Sequence, residues 1–142
     1  MADPLSLAAG VIAIATISAQ IGNTLIRLRA SGQLPGRLHS LNNEVTDLGV
    51  VLRQIESVLD DYKDVPVTLA TKSQELLQRA ETKLAEISGV VSRILNSCAG
   101  ANIKVLKRTA IWIKEKENIR SLQDDIRSIK VSFTLILEAL NR

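Results

Sequence analysis

The side chains able to do covalent or acid–base chemistry are few. His39 is the sole histidine and Cys98 the sole cysteine in 142 residues. A nucleophile–base pair would have to be built from these two, and no activating neighbour accompanies Cys98 in sequence. Cys98 instead ends an apolar stripe, which reads as a buried, inert thiol. His39 opens a helix, as a surface or capping residue would. A zinc site needs several converging His, Cys or carboxylate ligands, and no spacing here supplies them. The phosphate-cradling glycine loop and the dinucleotide fingerprint are both missing. The sequence therefore reads as a non-enzyme with no cofactor and no metal. One cysteine cannot form an intrachain disulfide, which fits a reducing compartment. Asp3, with no Lys or Arg before the apolar run, does not make a secretory signal. Ala2 departs from the myristoylation pattern.

Charge is more informative by position than in sum. The formal net charge is +3, too small to argue for nucleic acid. Asp3 is the only charged residue before Arg27, and residues 44–64 are acidic. Residues 104–120 are basic: Lys104, Lys107, Arg108, Lys114, Lys116 and Arg120 stand against Glu115 and Glu117. This run is either a solvated helix face or a surface for anionic lipid. Trp112 lies on an apolar helical phase within it, as a core residue would rather than a stacking platform.

Long helices must carry these groups. Hydrophobic residues make up 46% and aromatic residues 2%, with only 7 glycines and 3 prolines. That composition favours helices around an aliphatic core over a sandwich with frequent turns. The first helix is expected from Pro4, with Asp3 as N-cap, to about Ala30, before the linker SGQLPG. In the second, Leu38, Leu41, Val45, Leu48, Leu52, Ile55 and Leu59 repeat at three and four and form one stripe. In the third, Leu76, Ala80, Leu84, Ile87, Val91, Ile94 and Cys98 do the same, flanked by Leu69, Leu77 and Leu95. Thr71 with Gln74 resembles a capping box, and Thr68 competes as the start. In the last, Ile119, Leu122, Ile126, Ile129, Phe133, Ile136 and Leu140 share a phase. Upstream, Ile103, Leu106, Ala110 and Ile113 take another, so either a short helix precedes a long one or one helix turns its buried face. The expected fold is all-α, an antiparallel bundle of four long helices with room for a short extra helix before the last. Residues 1–142 form one domain in this reading. The pattern runs on to Asn141 and Arg142 without a cap, which suggests a domain of a longer protein.

Residues 5–26 read LSLAAGVIAIATISAQIGNTLI and carry no charge. At 1.5 Å per residue they reach about 33 Å, against a hydrocarbon core of about 30 Å. Ser6, Thr16, Ser18, Gln20, Asn23 and Thr24 dilute them. Leu7, Val11, Ile14, Ile21, Leu25 and Leu28 make one stripe, with Thr16, Gln20, Asn23 and Arg27 opposite. Up to Ala15 the helix is apolar all round and must be covered by protein or by lipid. Core helix and membrane-active element both fit, and they are compatible if the bundle can open. A constitutive anchor fits less well, for want of a basic cluster on the Met1 side.

The opening MADPLSLAAGVIAIATISAQIGNTL resembles the start of fungal HeLo-like N-terminal domains of STAND (NLR-type) proteins. The second helix LHSLNNEVTDLGVVLRQIESVL is similar to that family's Leu-rich helix, and IWIKEKENIRSLQDDIRSIKVSFTLIL to its last helix. The resemblance covers nearly the whole chain. It implies a helical bundle in front of a sensor or nucleotide-binding domain, related to HeLo and mixed-lineage kinase-like cell-death bundles. It further implies an effector of regulated cell death or innate immune signalling, cytoplasmic at rest and at the plasma membrane when activated. Self-association and membrane lipids would be its partners, with no nucleic acid. Carried onto this chain, Leu5, Leu7, Val11, Ile12, Ile14, Ile17 and Ile21 would insert. Charge alone nominates Lys104, Lys107, Arg108, Lys114 and Lys116 to meet anionic lipid. The chain lacks the acidic residues that the best-known executioners carry in their first helix, so a non-lytic interaction and oligomerisation adaptor is the alternative.

Overall fold

The computed structural model describes residues 4–30, 36–62, 64–97 and 105–142, with side chains at all of these except 4, 5, 28–30, 36, 37, 94–97 and 105–112. Four helices account for nearly all of them: α1 (Pro4–Ala30), α2 (Gly36–Leu59), α3 (Val67–Ser97) and α4 (Val105–Leu140). The boundaries follow local chemistry. Pro4 sits where its missing N–H costs nothing. The carbonyl of Pro66 accepts the Ala70 N–H at 2.9 Å, so α3 starts at Val67, ahead of both expected threonine caps. A ring without an N–H is well suited to the residue that precedes a first helical turn. The last helix is continuous from Val105, and no short helix precedes it among the described residues. Residues 105–140 contain neither Gly nor Pro, so nothing breaks the backbone where the apolar phase shifts.

The stripes become the core. All seven expected positions of α2 and all seven of α4 from Ile119 to Leu140 are buried. In α3, Ala80, Leu84, Ile87 and Val91 are buried as expected. Leu77 takes the core position expected of Leu76, which is only half-buried. Ile94, Cys98 and Trp112 lie outside the residues whose side chains are described. The core is aliphatic, with Phe133 buried among it.

Helices pack in the ring order α1–α2–α4–α3, so α1 is diagonal to α4 and α2 to α3. Gly49 meets Ser18, and Gly22 meets Asn42 and Thr46, so α1 and α2 are antiparallel. Lys83 pairs with Asp125 and Arg93 with Glu115, so α3 and α4 are antiparallel too. Glu44 pairs with Arg127 and Lys130, while Tyr62 donates its hydroxyl hydrogen to the Leu140 carbonyl; α2 and α4 therefore run parallel. Hence α1 and α3 are parallel, and the link after α2 crosses the bundle end diagonally. Fully buried Val65 plugs that end.

Candidate functional site

The uncharged helix α1 presents two different faces. Its inner stripe is Leu7, Val11, Ile14, Ile21 and Leu25, buried together with Ala8, Ala15 and Ser18. Its outer face is Ser6, Ala9, Ile12, Ala13, Thr16, Ala19, Gln20, Asn23 and Ile26, all exposed and none of them charged. Two glycines let neighbours close in. A Cβ at Gly10 would lie 3.1 Å from Leu77 Cδ1, and one at Gly22 would lie 3.6 Å from Asn42 Oδ1.

Half of the polar residues that dilute the apolar run are satisfied within the helix itself. Thr16 donates to the Ile12 carbonyl at 2.9 Å, Ser18 to Ile14 at 2.9 Å and Thr24 to Gln20 at 3.0 Å. A hydroxyl bonded to its own helix needs neither water nor a partner helix, so it costs less in an apolar medium than composition implies. The span Ser6–Arg27 is long and apolar enough to cross a bilayer, and it is the one such helix among the described residues. A core helix of a soluble protein passes the same test.

What attaches α1 differs in kind from what attaches the other helices. Helix α4 is clasped to α2 by Glu44, which accepts from Lys130 Nζ at 2.8 Å and from Arg127 Nε at 3.1 Å, with Asp47 3.6 Å from Lys130. It is clasped to α3 by Asp125–Lys83 at 3.2 Å and by buried Glu115, which accepts from Arg93 at 3.0 Å and Asn118 at 3.2 Å. Burial pushes the Glu44 carboxyl up, but hydrogen bonds from Lys130 and Arg127 outweigh it and hold it below the usual carboxylate range. The hydrogen bond from Arg93 holds Glu115 below that range as well. The Glu44 hydrogen bond raises Lys130. Among the described residues, no ion pair or side-chain hydrogen bond joins α1 to any other helix; apolar packing alone holds it. Asn42 Oδ1, buried opposite Gly22, has no hydrogen-bond partner among them.

The nominated residues fall into separate places. Leu7, Val11, Ile14 and Ile21 are core, Ile17 is half-buried against it, and Ile12 is 45% exposed on the outer face. The Leu5 side chain lies outside the described residues. Lys104, and the side chains of Lys107 and Arg108, lie outside them too. Lys114 is exposed and Lys116 half-buried. Gly10 stands at the height of Leu77, while Glu115 stands at that of Arg93. Sixteen residues of α3 separate those heights, about 24 Å along the bundle. Since α4 is also diagonal to α1, Lys114 and Lys116 and the apolar half of α1 share neither an end nor a face. The charges that do flank the apolar half come from α2: Arg53, Glu56 and Asp60 line a groove with Ile12 and Thr16. Sequence spacing within one helix could not reveal that neighbourhood.

Among the described residues no three His, Cys, Asp or Glu side chains could hold a metal ion. His39 is half-buried at the start of α2. A groove of about 860 Å³ between α3 and α4 is lined by Lys83, Glu86, Arg93 and Asp125, whose charges are paired, together with Glu81. No family model, curated protein or solved structure matches this chain.

Proposed function

We propose that this bundle is a membrane-perturbing effector whose α1 leaves the bundle and enters lipid. The HeLo-like resemblance supplies the setting, regulated cell death or innate immune signalling, with a sensor or nucleotide-binding domain downstream. In that setting the protein is cytoplasmic at rest and acts at the plasma membrane. The observation that carries the reading is that α1 is uncharged from Pro4 to Ile26 and that, among the described residues, apolar packing alone ties it to its neighbours.

Magnitudes favour lipid as the destination. Five buried stripe residues at about 1.5–3 kcal/mol each give roughly 8–15 kcal/mol for the seat of α1. The stability of a whole domain is about 5–15 kcal/mol. Release into water would thus undo the fold. Release into hydrocarbon restores the same burial and adds Ile12 and Ile26, which water now wets. An ion pair could not be exchanged so cheaply, which is why it matters that none joins α1 to another helix among the described residues. The three helices left behind stay clasped through α4 but expose the surface α1 covered, so self-association of the remainder accompanies release.

Leakage of anionic liposomes by the intact domain, and its loss on deletion of residues 1–15, tests the reading. Leakage that survives the deletion overturns it. The alternative, a non-lytic adaptor in which α1 never moves, draws on Leu7, Val11 and Leu25 being at most 2% exposed. Hydrogen exchange in α1 at the global unfolding limit, without lipid binding, would favour it.

A further inference from the structure

The directions of the helices gather charge that the sequence keeps apart. Because α1 and α3 run opposite to α2 and α4, Ala30, Gly36, Ser97 and Val105 all lie at one end of the bundle. Arg27 and Arg29 fall in the last turn of α1 and Arg37 in the first turn of α2, and residues 27–43 contain no Asp or Glu. Lys107 and Arg108 fall in the first turn of α4, and residues 94–114 contain no Asp or Glu either. The Arg93–Glu115 pair puts Lys114 level with the last turn of α3. Glu115 and Glu117, the first acids of α4, are paired with Arg93 and Arg120. Arg27 and Lys114 are exposed, and among the described residues neither is in an ion pair.

The other end has the reverse character. There α2 closes with Glu56, Asp60 and Asp61, Asp64 follows, and Lys63 is the one basic residue from 54 to 66. The 24 residues of α2 hold the two ends about 36 Å apart. That is several times the Debye length of about 8 Å at physiological ionic strength. A charged surface touching one end does not sense the other, so the net charge of +3 understates the attraction of the basic end for an anionic plane.

We infer that this basic end is a docking face for a membrane rich in anionic lipid, on which the bundle stands with its helices along the membrane normal. The basic groups surround a blunt end made of four helix termini, a shape that meets a plane of headgroups. The helix long and apolar enough to enter hydrocarbon terminates among them. Each Lys or Arg near such a surface strengthens binding about fivefold. The orientation has a consequence for α1. Ala15, where its all-round apolar half ends, lies 12 residues before Arg27, about 18 Å away along the helix. Docking therefore holds that half out of the lipid, with the last turn of α1 at the headgroups, and release must swing it about this end. The swing rests on the proposed function; the docking face does not depend on α1 leaving its seat.

Co-sedimentation at physiological salt, with vesicles of phosphatidylserine and phosphatidylcholine or of phosphatidylcholine alone, tests the docking face. The wild-type chain should bind the first and not the second. Arg27→Gln with Lys107→Gln should weaken binding about 25-fold. Lys72→Gln with Arg79→Gln removes the same charge from the far half of α3 and should change binding less than twofold. For orientation, a fluorophore on Ser40→Cys or Ser57→Cys, each with Cys98→Ser, is read against lipid carrying a nitroxide on its headgroup. Both positions are exposed on α2, about 25 Å apart along it, and the Ser40 label should be the more strongly quenched. Circular dichroism checks that each variant is folded. Equal loss of binding from the two double variants, equal quenching at the two labels, equal binding to phosphatidylcholine alone, or tighter binding to a DNA duplex at equal phosphate concentration would overturn the inference. Dye release from the same vesicles separates it from the proposed function. End-dependent binding without release rejects the insertion of α1 alone, and release without end-dependent binding rejects the docking face alone.

Discussion

Thr16 lies at the midpoint of the Ser6–Arg27 span and is exposed on the outer face of α1. Replacing it with Asp separates the two environments of the helix. In the resting bundle the change is mild. Thr and Asp have similar helix propensity, the lost hydroxyl bond to Ile12 is exposed, and Arg53 stands with Glu56 and Asp60 in the adjoining groove. A surface change of this kind is worth within about 0.5 kcal/mol. In a bilayer the same position is at the centre of the hydrocarbon, where a carboxylate costs about 2.5–3.5 kcal/mol. The protein concentration for half-maximal dye release from anionic liposomes should then rise roughly 60- to 300-fold. The urea midpoint should hardly move. Thr16→Val, of like shape and without the hydroxyl, should leak at least as well as the wild type. A folded Thr16→Asp protein that leaks as readily as wild type would refute the insertion argument, because no spanning arrangement of α1 keeps residue 16 out of hydrocarbon.

The clasps on α4 give further expectations. Glu44→Ala leaves Lys130 and Arg127 without their shared acceptor and should lower unfolding free energy by about 1–2 kcal/mol in urea titrations. Glu44 and Glu115 both sit below the usual carboxylate range when folded. Their contribution is therefore present above the unfolded glutamate value and lost as pH falls through the folded values. Urea midpoints should be nearly level from about pH 7 to 5 and fall below that, and Glu44→Gln with Glu115→Gln should flatten the fall. Tyr62→Phe deletes the bond that ties the α2–α3 link to the end of α4 and should cost about 0.5–1.5 kcal/mol, read as a lower melting temperature.

The helices were legible because one-dimensional periodicity is a direct record of a buried face. The unbroken three–four spacing from Leu38 to Leu59 predicted seven core residues, and all seven are buried. The start of α3 was less legible, since a threonine two or five residues away offers a plausible cap while Pro66 supplies the first acceptor. Which of Leu76 and Leu77 enters the core depended on how closely Gly10 lets α1 approach, a contact between residues far apart in sequence. The pattern of α1 announced its apolar stripe but not the manner of its attachment. That, among the described residues, α2 and α3 are joined to α4 by ion pairs and α1 to none is a fact of tertiary pairing. So is the separation of Lys114 and Lys116 from the apolar half of α1, which follows from the diagonal ring order rather than from charge counts.

The central claim is that α1 must leave its seat between α2 and α3 to act, and a reversible lock on that seat tests it most directly. A Cβ built on Gly49 lies 3.6 Å from Ser18 Cβ, within the roughly 3.5–4.5 Å that a disulfide spans. With Cys98→Ser removing the competing thiol, Ser18→Cys and Gly49→Cys would fasten α1 to α2 when oxidised. The account predicts no dye release from anionic liposomes by the oxidised protein and wild-type release once the bond is reduced. Equal release from the oxidised and reduced forms would contradict it.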